Sequence, residues 1–170
     1  AALAECGFFK TEKLLTYGQD YSLMMNHISH KVPGVEFSTG SLGHGLPFGC
    51  GKAISAKRDN ANWRTFVLLS DGEMGVGSNW EAMMFAAHHK LDNLIVIVDY
   101  NNLQSLTTVE NTLRIEPFLD KALSFGWAVR EVDGHDHKKL RDQMSQLPCE
   151  DGKPTFIIAH TTKGKGVSFM

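Results

Sequence analysis

Cysteine is scarce. Cys6, Cys50 and Cys149 are an odd number, with no close pair, among 170 residues. That excludes a disulfide framework and a zinc-type cluster and fits a reducing compartment. All three are expected to be mostly buried thiols acting as small apolar groups. Long apolar runs are also missing. Stretches such as Leu94 to Val98 fall far below the roughly 20 residues that span a bilayer, and no charged start leading into an apolar segment resembles a signal peptide. No membrane association and a cytoplasmic location are therefore expected. Nor is there an excess of one charge: 17 Lys and Arg against 19 Asp and Glu leave a net charge of −2, interspersed along the chain. A basic face for nucleic acid and an acidic tail are both excluded. Internal repeats and low-complexity tracts are absent too.

What is present is an ordinary globular composition, 42% apolar and 21% charged. A chain of this size hides about two-thirds of its unfolded surface without metals or disulfides. No composition shift marks a second domain, so residues 1–170 are expected to form one. Its ends resemble those of a fragment. Ala1-Ala2-Leu3-Ala4-Glu5-Cys6-Gly7 reads as the last turns of a helix closed by glycine, and 164–170 carries no helix or strand pattern.

From residue 64 onward, short apolar runs alternate with helical patterns, the mark of an α/β fold with a mostly parallel sheet and helices on both faces. Strands are expected at Arg64–Leu69, Leu94–Val98, Ala128–Val132 and Thr155–His160, and their near-continuous hydrophobicity predicts burial on both faces. Between the first two, Ser78-x-x-Glu81 predicts a capping box opening a helix whose apolar positions include Met84, Phe85 and Ala87. Further helices are expected from Pro117 to Phe125, with proline in the first turn, and from His137 to Gln146. Upstream lie a short helix near Thr11–Tyr17, a long loop from Gly18 to Ser41 and a helix from about Leu46 to Lys57. A loop of that length in a compact domain is usually functional or disordered.

In an open parallel sheet, ligands bind beyond the carboxyl ends of the strands. Four segments fall there: Ser70-Asp71-Gly72-Glu73, Asp99-Tyr100-Asn101-Asn102-Leu103, Asp133-Gly134-His135-Asp136 and Thr161-Thr162-Lys163-Gly164. Asp71 and Asn101 are one crossover apart and should lie side by side. A carboxylate, an amide oxygen and a nearby backbone carbonyl are hard donors suited to Mg²⁺ or Ca²⁺, with coordination positions left for phosphate oxygens and water. Gly40-Ser41-Leu42-Gly43-His44-Gly45, leading into a helix, offers backbone N–H groups to a diphosphate. The plainer reading of an Asp-Gly after a strand is a turn. A dinucleotide fingerprint at Gly43-x-Gly45-x-x-x-Gly49 is disfavoured, because no strand precedes it and no acidic residue sits at a suitable strand end.

Among eight histidines, His88 and His89 read as structural. His27 and His30 have the spacing of a zinc pair but no third ligand at a suitable distance. His27, His44 and His135 fall in loops near the proposed ligand edge, where a neutral imidazole can move protons or bind phosphate. Met24-Met25 and Met83-Met84 read as core filler.

Ser70-Asp71-Gly72 followed by Asp99-Tyr100-Asn101-Asn102 resembles the thiamine diphosphate signature. Thr39-Gly40-Ser41-Leu42-Gly43-His44-Gly45 and Val132-Asp133-Gly134-His135-Asp136 narrow the resemblance to transketolases. It extends from Ala1-Ala2-Leu3-Ala4-Glu5-Cys6-Gly7 through Pro33-Gly34-Val35-Glu36 to 162–167, and is most similar to the N-terminal subunit of split, two-chain transketolases. The resemblance implies a diphosphate-binding module of the thiamine diphosphate-binding fold. It implies a divalent metal on Asp71, Asn101 and the Leu103 carbonyl, and cofactor contacts from Gly40, Leu42, His44, Gly72, Glu73, Asn101 and His135. His27, with His30 as the alternative, takes the place of the family's loop histidine acting on substrate hydroxyls, and His135 lies near diphosphate and substrate. His44 stands where some relatives carry glutamine.

The implied chemistry is two-carbon ketol transfer between sugar phosphates, in which a thiazolium ylid stabilises a carbanion that no side chain can. The implied partners are a pyrimidine-binding subunit or domain, which carries the activating glutamate, and a second copy meeting at the cofactor site. Two departures stand out. Val76 occupies a position where the family has a glutamate thought to link paired cofactor sites, although Glu81 is retained, and Thr107 replaces a common glycine. Two alternatives stay open: a truncated or degenerate relative without chemistry, and a module of another thiamine diphosphate enzyme, a synthase or dehydrogenase component.

Overall fold

The computed structural model describes residues 1–169; Met170, the end of the patternless closing segment, lies outside the described residues. Backbone contacts divide the chain into two compact units, residues 1–42 and 43–170.

The first unit contains a short helix α1 (Ala2–Glu5) and, in place of the helix expected near Thr11–Tyr17, a 3-10 helix (Thr11–Thr16). Its remaining residues carry no helix or strand, as expected for 18–41. Gly7, just past α1, has φ +82°, the left-handed ending that glycine accommodates.

The second unit holds a four-stranded sheet of β1 (Thr65–Ser70), β2 (Leu94–Tyr100), β3 (Ala128–Asp133) and β4 (Thr155–His160), all parallel in the order β1-β2-β4-β3. Alternate residues along each strand serve the two faces. One face, with Leu69, Leu94, Val96, Val98, Phe156 and Ile158, packs on α2 (Gly45–Arg58), α3 (Gly77–His88) and α5 (Phe118–Ser124) through residues such as Leu46, Met83 and Phe118. The other face, with Ile95, Ile157, Ala159 and Val132, is covered by Leu140 and Met144 of α6 (His137–Ser145) and by Leu147. A single turn, α4 (Val109–Thr112), follows the loop after β2.

Several expectations need correction. Burial on both faces holds for β2 and β4 but not for the two edge strands, β3, where Glu131 is exposed, and β1, where Phe66 and Leu68 are 48% and 72% exposed. Alternation in β1 is masked because both its faces are apolar in sequence. The capping box does not form: α3 begins at Gly77 after Val76, no side chain caps it, and the Ser78 hydroxyl donates instead to the Gly43 carbonyl (2.6 Å). On α3 the buried positions are Asn79, Ala82, Met83 and Ala86, whereas Met84 and Phe85 are exposed. A helix apolar on every side hides which face turns inward. Of the four paired methionines only Met83 is core, and of the cysteines only Cys50 is buried, its thiol pushed up to about 11 by that burial. Pro117 precedes α5 as its cap residue, and α6 is capped by Asp136, whose carboxylate accepts from the Lys138 and Lys139 N–H groups.

Candidate active site

The parallel register brings Ser70 beside Asp99, and His160 beside both Tyr100 and Asp133, at the carboxyl ends of the strands. Asp71 follows β1 immediately and is fully buried. Its Oδ1 accepts from the Gly72 N–H (2.7 Å), and its Oδ2 from the Asn102 N–H in the loop beyond β2. Burial raises its pKa above the usual carboxylate range; the N–H groups of Asn102, Gly72 and Asn101 oppose that rise, and the Asp99 carboxylate adds to it. Among the described residues no ion pair involves Asp71. A buried carboxylate held by backbone donors but without a counter-cation suits a bound cation.

The loop beyond β2 explains its two asparagines. Asn101 Oδ1 accepts from the Leu103 N–H (3.0 Å), keeping an amide oxygen at the strand end. Asn102 has φ +62°, a left-handed conformation that asparagine tolerates better than most residues, and this turn presents its N–H to Asp71. The loop closes through an isolated antiparallel bridge between Leu103 and Thr108, made by Val109 N–H to Asn102 C=O and Gln104 N–H to Thr107 C=O. The Leu103 carbonyl takes no part in those two bonds. Thr107 is not among the residues with positive φ, so its replacement of glycine introduces no left-handed strain.

Gly72 opens a 3-10 helix (Gly72–Gly75), and a Cβ there would stand 2.9 Å from Gln104 Cγ. The same turn is tied to α3 by two side chains that sequence reasoning misses: Asn79 Nδ2 donates to the Glu73 carbonyl (2.8 Å) and Trp80 Nε1 to the Met74 carbonyl (2.9 Å). Neither follows a motif, because each partner is a backbone carbonyl whose direction depends on the turn. Glu73 Oε1 accepts from the Gly43 N–H (2.8 Å). His44 precedes α2 as cap residue without a capping side-chain bond.

His135 bridges two of the edge segments. The Thr162 N–H donates to its Nε2 (2.8 Å), so the ring proton belongs on Nδ1, and its own N–H donates to Asp133 Oδ1 (2.9 Å). Thr161, whose hydroxyl hydrogen-bonds Asp99 Oδ1, ties the β4 segment to β2.

In the first unit, His27 and Gly40 meet so closely that a Cβ on residue 40 would stand 2.8 Å from His27 Cδ2. His27 lines two cavities of about 720 and 610 Å³. His30 lines neither, and its Nδ1 pairs with the Ser38 hydroxyl (2.7 Å). Of the two histidines, His27 is thus the one set against Gly40. Leu42 is exposed.

Comparison with known proteins decides the family. The model for the transketolase, thiamine diphosphate binding domain matches residues 7–169. The chain belongs to the transketolase family. An apulose-4-phosphate transketolase subunit of Phocaeicola vulgatus is 43% identical over 96% of this chain, and its counterpart of the same name in Actinobacillus succinogenes is 44% identical over 99%. The chain spans only 58% and 61% of the length of those two relatives. A 6-deoxy-6-sulfo-D-fructose transketolase subunit from a Clostridium species is 36% identical over 99% of this chain. Among solved structures, Campylobacter jejuni transketolase superposes with a TM-score of 0.83 at 32% identity, covering 92% of this chain and 26% of that one. The expected α/β thiamine diphosphate-binding fold is therefore correct.

Proposed function

We propose that this chain is the diphosphate-binding part of a split transketolase, holding thiamine diphosphate through Mg²⁺ on Asp71, Asn101 and the Leu103 carbonyl. The observation that carries the reading is the buried, uncompensated Asp71 carboxylate, fixed by backbone donors from the loops beyond both β1 and β2. Among the described residues no three His, Cys, Asp or Glu side chains gather where they could hold a metal. The proposed site is of another kind, one carboxylate with neutral oxygens, which suits a hard cation sharing its shell with phosphate oxygens and water.

When bound, thiamine diphosphate supplies the electron sink that lets a carbon–carbon bond beside a ketose carbonyl break. The chain's own residues bind and orient. Gly40, Leu42, His44 and Gly72 are proposed to contribute cofactor contacts, and His27 to handle substrate hydroxyls. His135 offers its Nδ1–H as a donor to diphosphate or substrate while Nε2 stays engaged by Thr162. The two-carbon transfer between sugar phosphates is proposed for the assembly with a pyrimidine-binding partner. The names of the subunit-type relatives support that division of labour. Self-association is proposed as well, supported by the exposed Met84 and Phe85 on α3. A cytoplasmic setting accords with three free cysteines.

The test is calorimetric and kinetic. Alone, the chain should show no ketol transfer and little saturation at micromolar thiamine diphosphate with Mg²⁺, because half the contacts are missing. With the pyrimidine-binding chain it should bind and turn over a ketose phosphate. Unaided turnover would overturn the division of labour, and an assembled enzyme that binds no thiamine diphosphate would overturn the reading itself.

A further inference from the structure

Gly43 is held from both sides. Its N–H donates to Glu73 Oε1 (2.8 Å), and its carbonyl accepts from the Ser78 hydroxyl (2.6 Å). The two clamping residues come from different elements, the 3-10 helix after Asp71 and the first turn of α3. Gly43 itself has φ +81°, and a Cβ there would collide with Val76 and Ser78. Only glycine suits both the conformation and the space.

The clamp matters because of what it joins. Glu73 is itself held by its neighbours: its N–H donates to Ser70 Oγ (3.1 Å), and its carbonyl accepts from the buried Asn79 amide (2.8 Å). Its carboxylate therefore stands on the same turn that carries Asp71 and Gly72. In a trans peptide the C=O and the following N–H point in opposite directions. Fixing the Gly43 carbonyl on Ser78 thus also fixes the direction of the His44 N–H at the start of α2.

We infer that Glu73 and Ser78 are positioning residues that lock the entry to α2 onto the Asp71 turn, so that Gly43-His44-Gly45 and the metal carboxylate keep one relative arrangement. Glu73 acts through its acceptor oxygen on a backbone N–H, not as a ligand of the cofactor. The inference rests on the thiamine diphosphate reading for its consequence, whereas the clamp itself can be measured without any ligand.

The experiment uses this chain, isotopically labelled, with Glu73→Gln, Glu73→Ala and Ser78→Ala variants. Amide exchange at Gly43 is read first without ligand. Glu73→Ala should speed it at least about tenfold, and Glu73→Gln, which keeps an acceptor oxygen and loses the charge, should stay within about threefold of wild type. Ser78→Ala should shift the Gly43 carbonyl resonance. Unchanged Gly43 exchange in Glu73→Ala overturns the clamp.

Thiamine diphosphate with Mg²⁺ is then titrated into the chain assembled with its pyrimidine-binding partner. Affinity should fall about tenfold in Glu73→Ala and recover in Glu73→Gln, a rescue that a charged cofactor ligand would not show. Equal affinity in wild type and Glu73→Ala overturns the positioning role while leaving the cofactor reading intact. An equal loss in Glu73→Gln and Glu73→Ala also overturns it, because charge would then be the requirement. Failure of the wild-type assembly to bind overturns the cofactor reading and, with it, the role given to the clamp.

Discussion

Asp71 and Asn102, 31 positions apart, meet where the Asn102 N–H donates to Asp71 Oδ2 just beyond neighbouring parallel strands. The bond joins a left-handed residue at 102 to a carboxylate at 71, which the crossover between β1 and β2 brings together. It joins a fold-level relationship to a chemical one, since the same carboxylate is the proposed anchor of the metal.

Asp71→Ala should therefore abolish Mg²⁺-dependent binding of thiamine diphosphate by the assembled enzyme, because it removes the one charged donor of the proposed set. Asn101→Ala should weaken binding less, since it removes a neutral oxygen. Calorimetry with and without Mg²⁺ separates the two. An unchanged affinity in Asp71→Ala would remove the metal assignment.

Replacing Asn102 tests the backbone half of the relationship. Alanine at φ +62° carries a left-handed penalty of about 1 kcal/mol, whereas glycine adopts that conformation freely. Asn102→Ala should lower the melting temperature of the chain, and Asn102→Gly should leave it close to wild type. If alanine and glycine behave alike, the second asparagine is needed for its side chain and not for its turn.

The strand positions and the strand-end loops that carry the candidate site can be read from the sequence, because apolar runs bounded by Asp, Asn and Gly mark strand ends directly. Less can be read where a residue's partner is backbone. Asn79 and Trp80 hold the Asp71 turn through carbonyls whose orientation no residue pattern encodes. Ser78 matches a helix cap by spacing, yet its hydroxyl is engaged by Gly43. The exposure of Phe66 and Leu68 depends on β1 lying at the edge of the sheet, a property of strand order that composition does not carry.

At the opposite end of the sheet, Asp92 joins α2 to the segment before β4, pairing with Lys57 Nζ (2.7 Å) and accepting from the Gly152 N–H (3.1 Å). Burial pushes its pKa up, but the Lys57 hydrogen bond and charge and the Gly152 N–H outweigh it, and the net shift is downward. A lowered folded pKa means stability that is fully present above the unfolded value of about 4 and is lost as pH falls through the folded one. The paired side chains are 37% and 30% exposed, so solvent screening limits the gain to about 0.5–1 kcal/mol. Asp92→Asn should melt lower than wild type at pH 7, and the gap should close on acidification below about pH 4. A gap that persists in acid would assign the effect to packing.

Val76 stands where the family resemblance places a glutamate, and in this chain its side chain abuts the glycine held by Glu73. Val76→Glu brings a second carboxylate to that glycine, and two neighbouring carboxylates cannot both ionise without cost. The variant should melt a few degrees lower than wild type at pH 7, with the difference shrinking on acidification as the introduced carboxyl takes up a proton. The same substitution restores the glutamate that the resemblance implies between paired cofactor sites in the proposed self-association. Single-turnover kinetics of the assembled enzyme should therefore show faster cofactor activation even as the chain loses stability. Stability and activity then move in opposite directions, which a purely structural role for Val76 does not produce. If melting and single-turnover rate are both unchanged, the side chain at 76 faces solvent in the assembly and takes no part in linking sites.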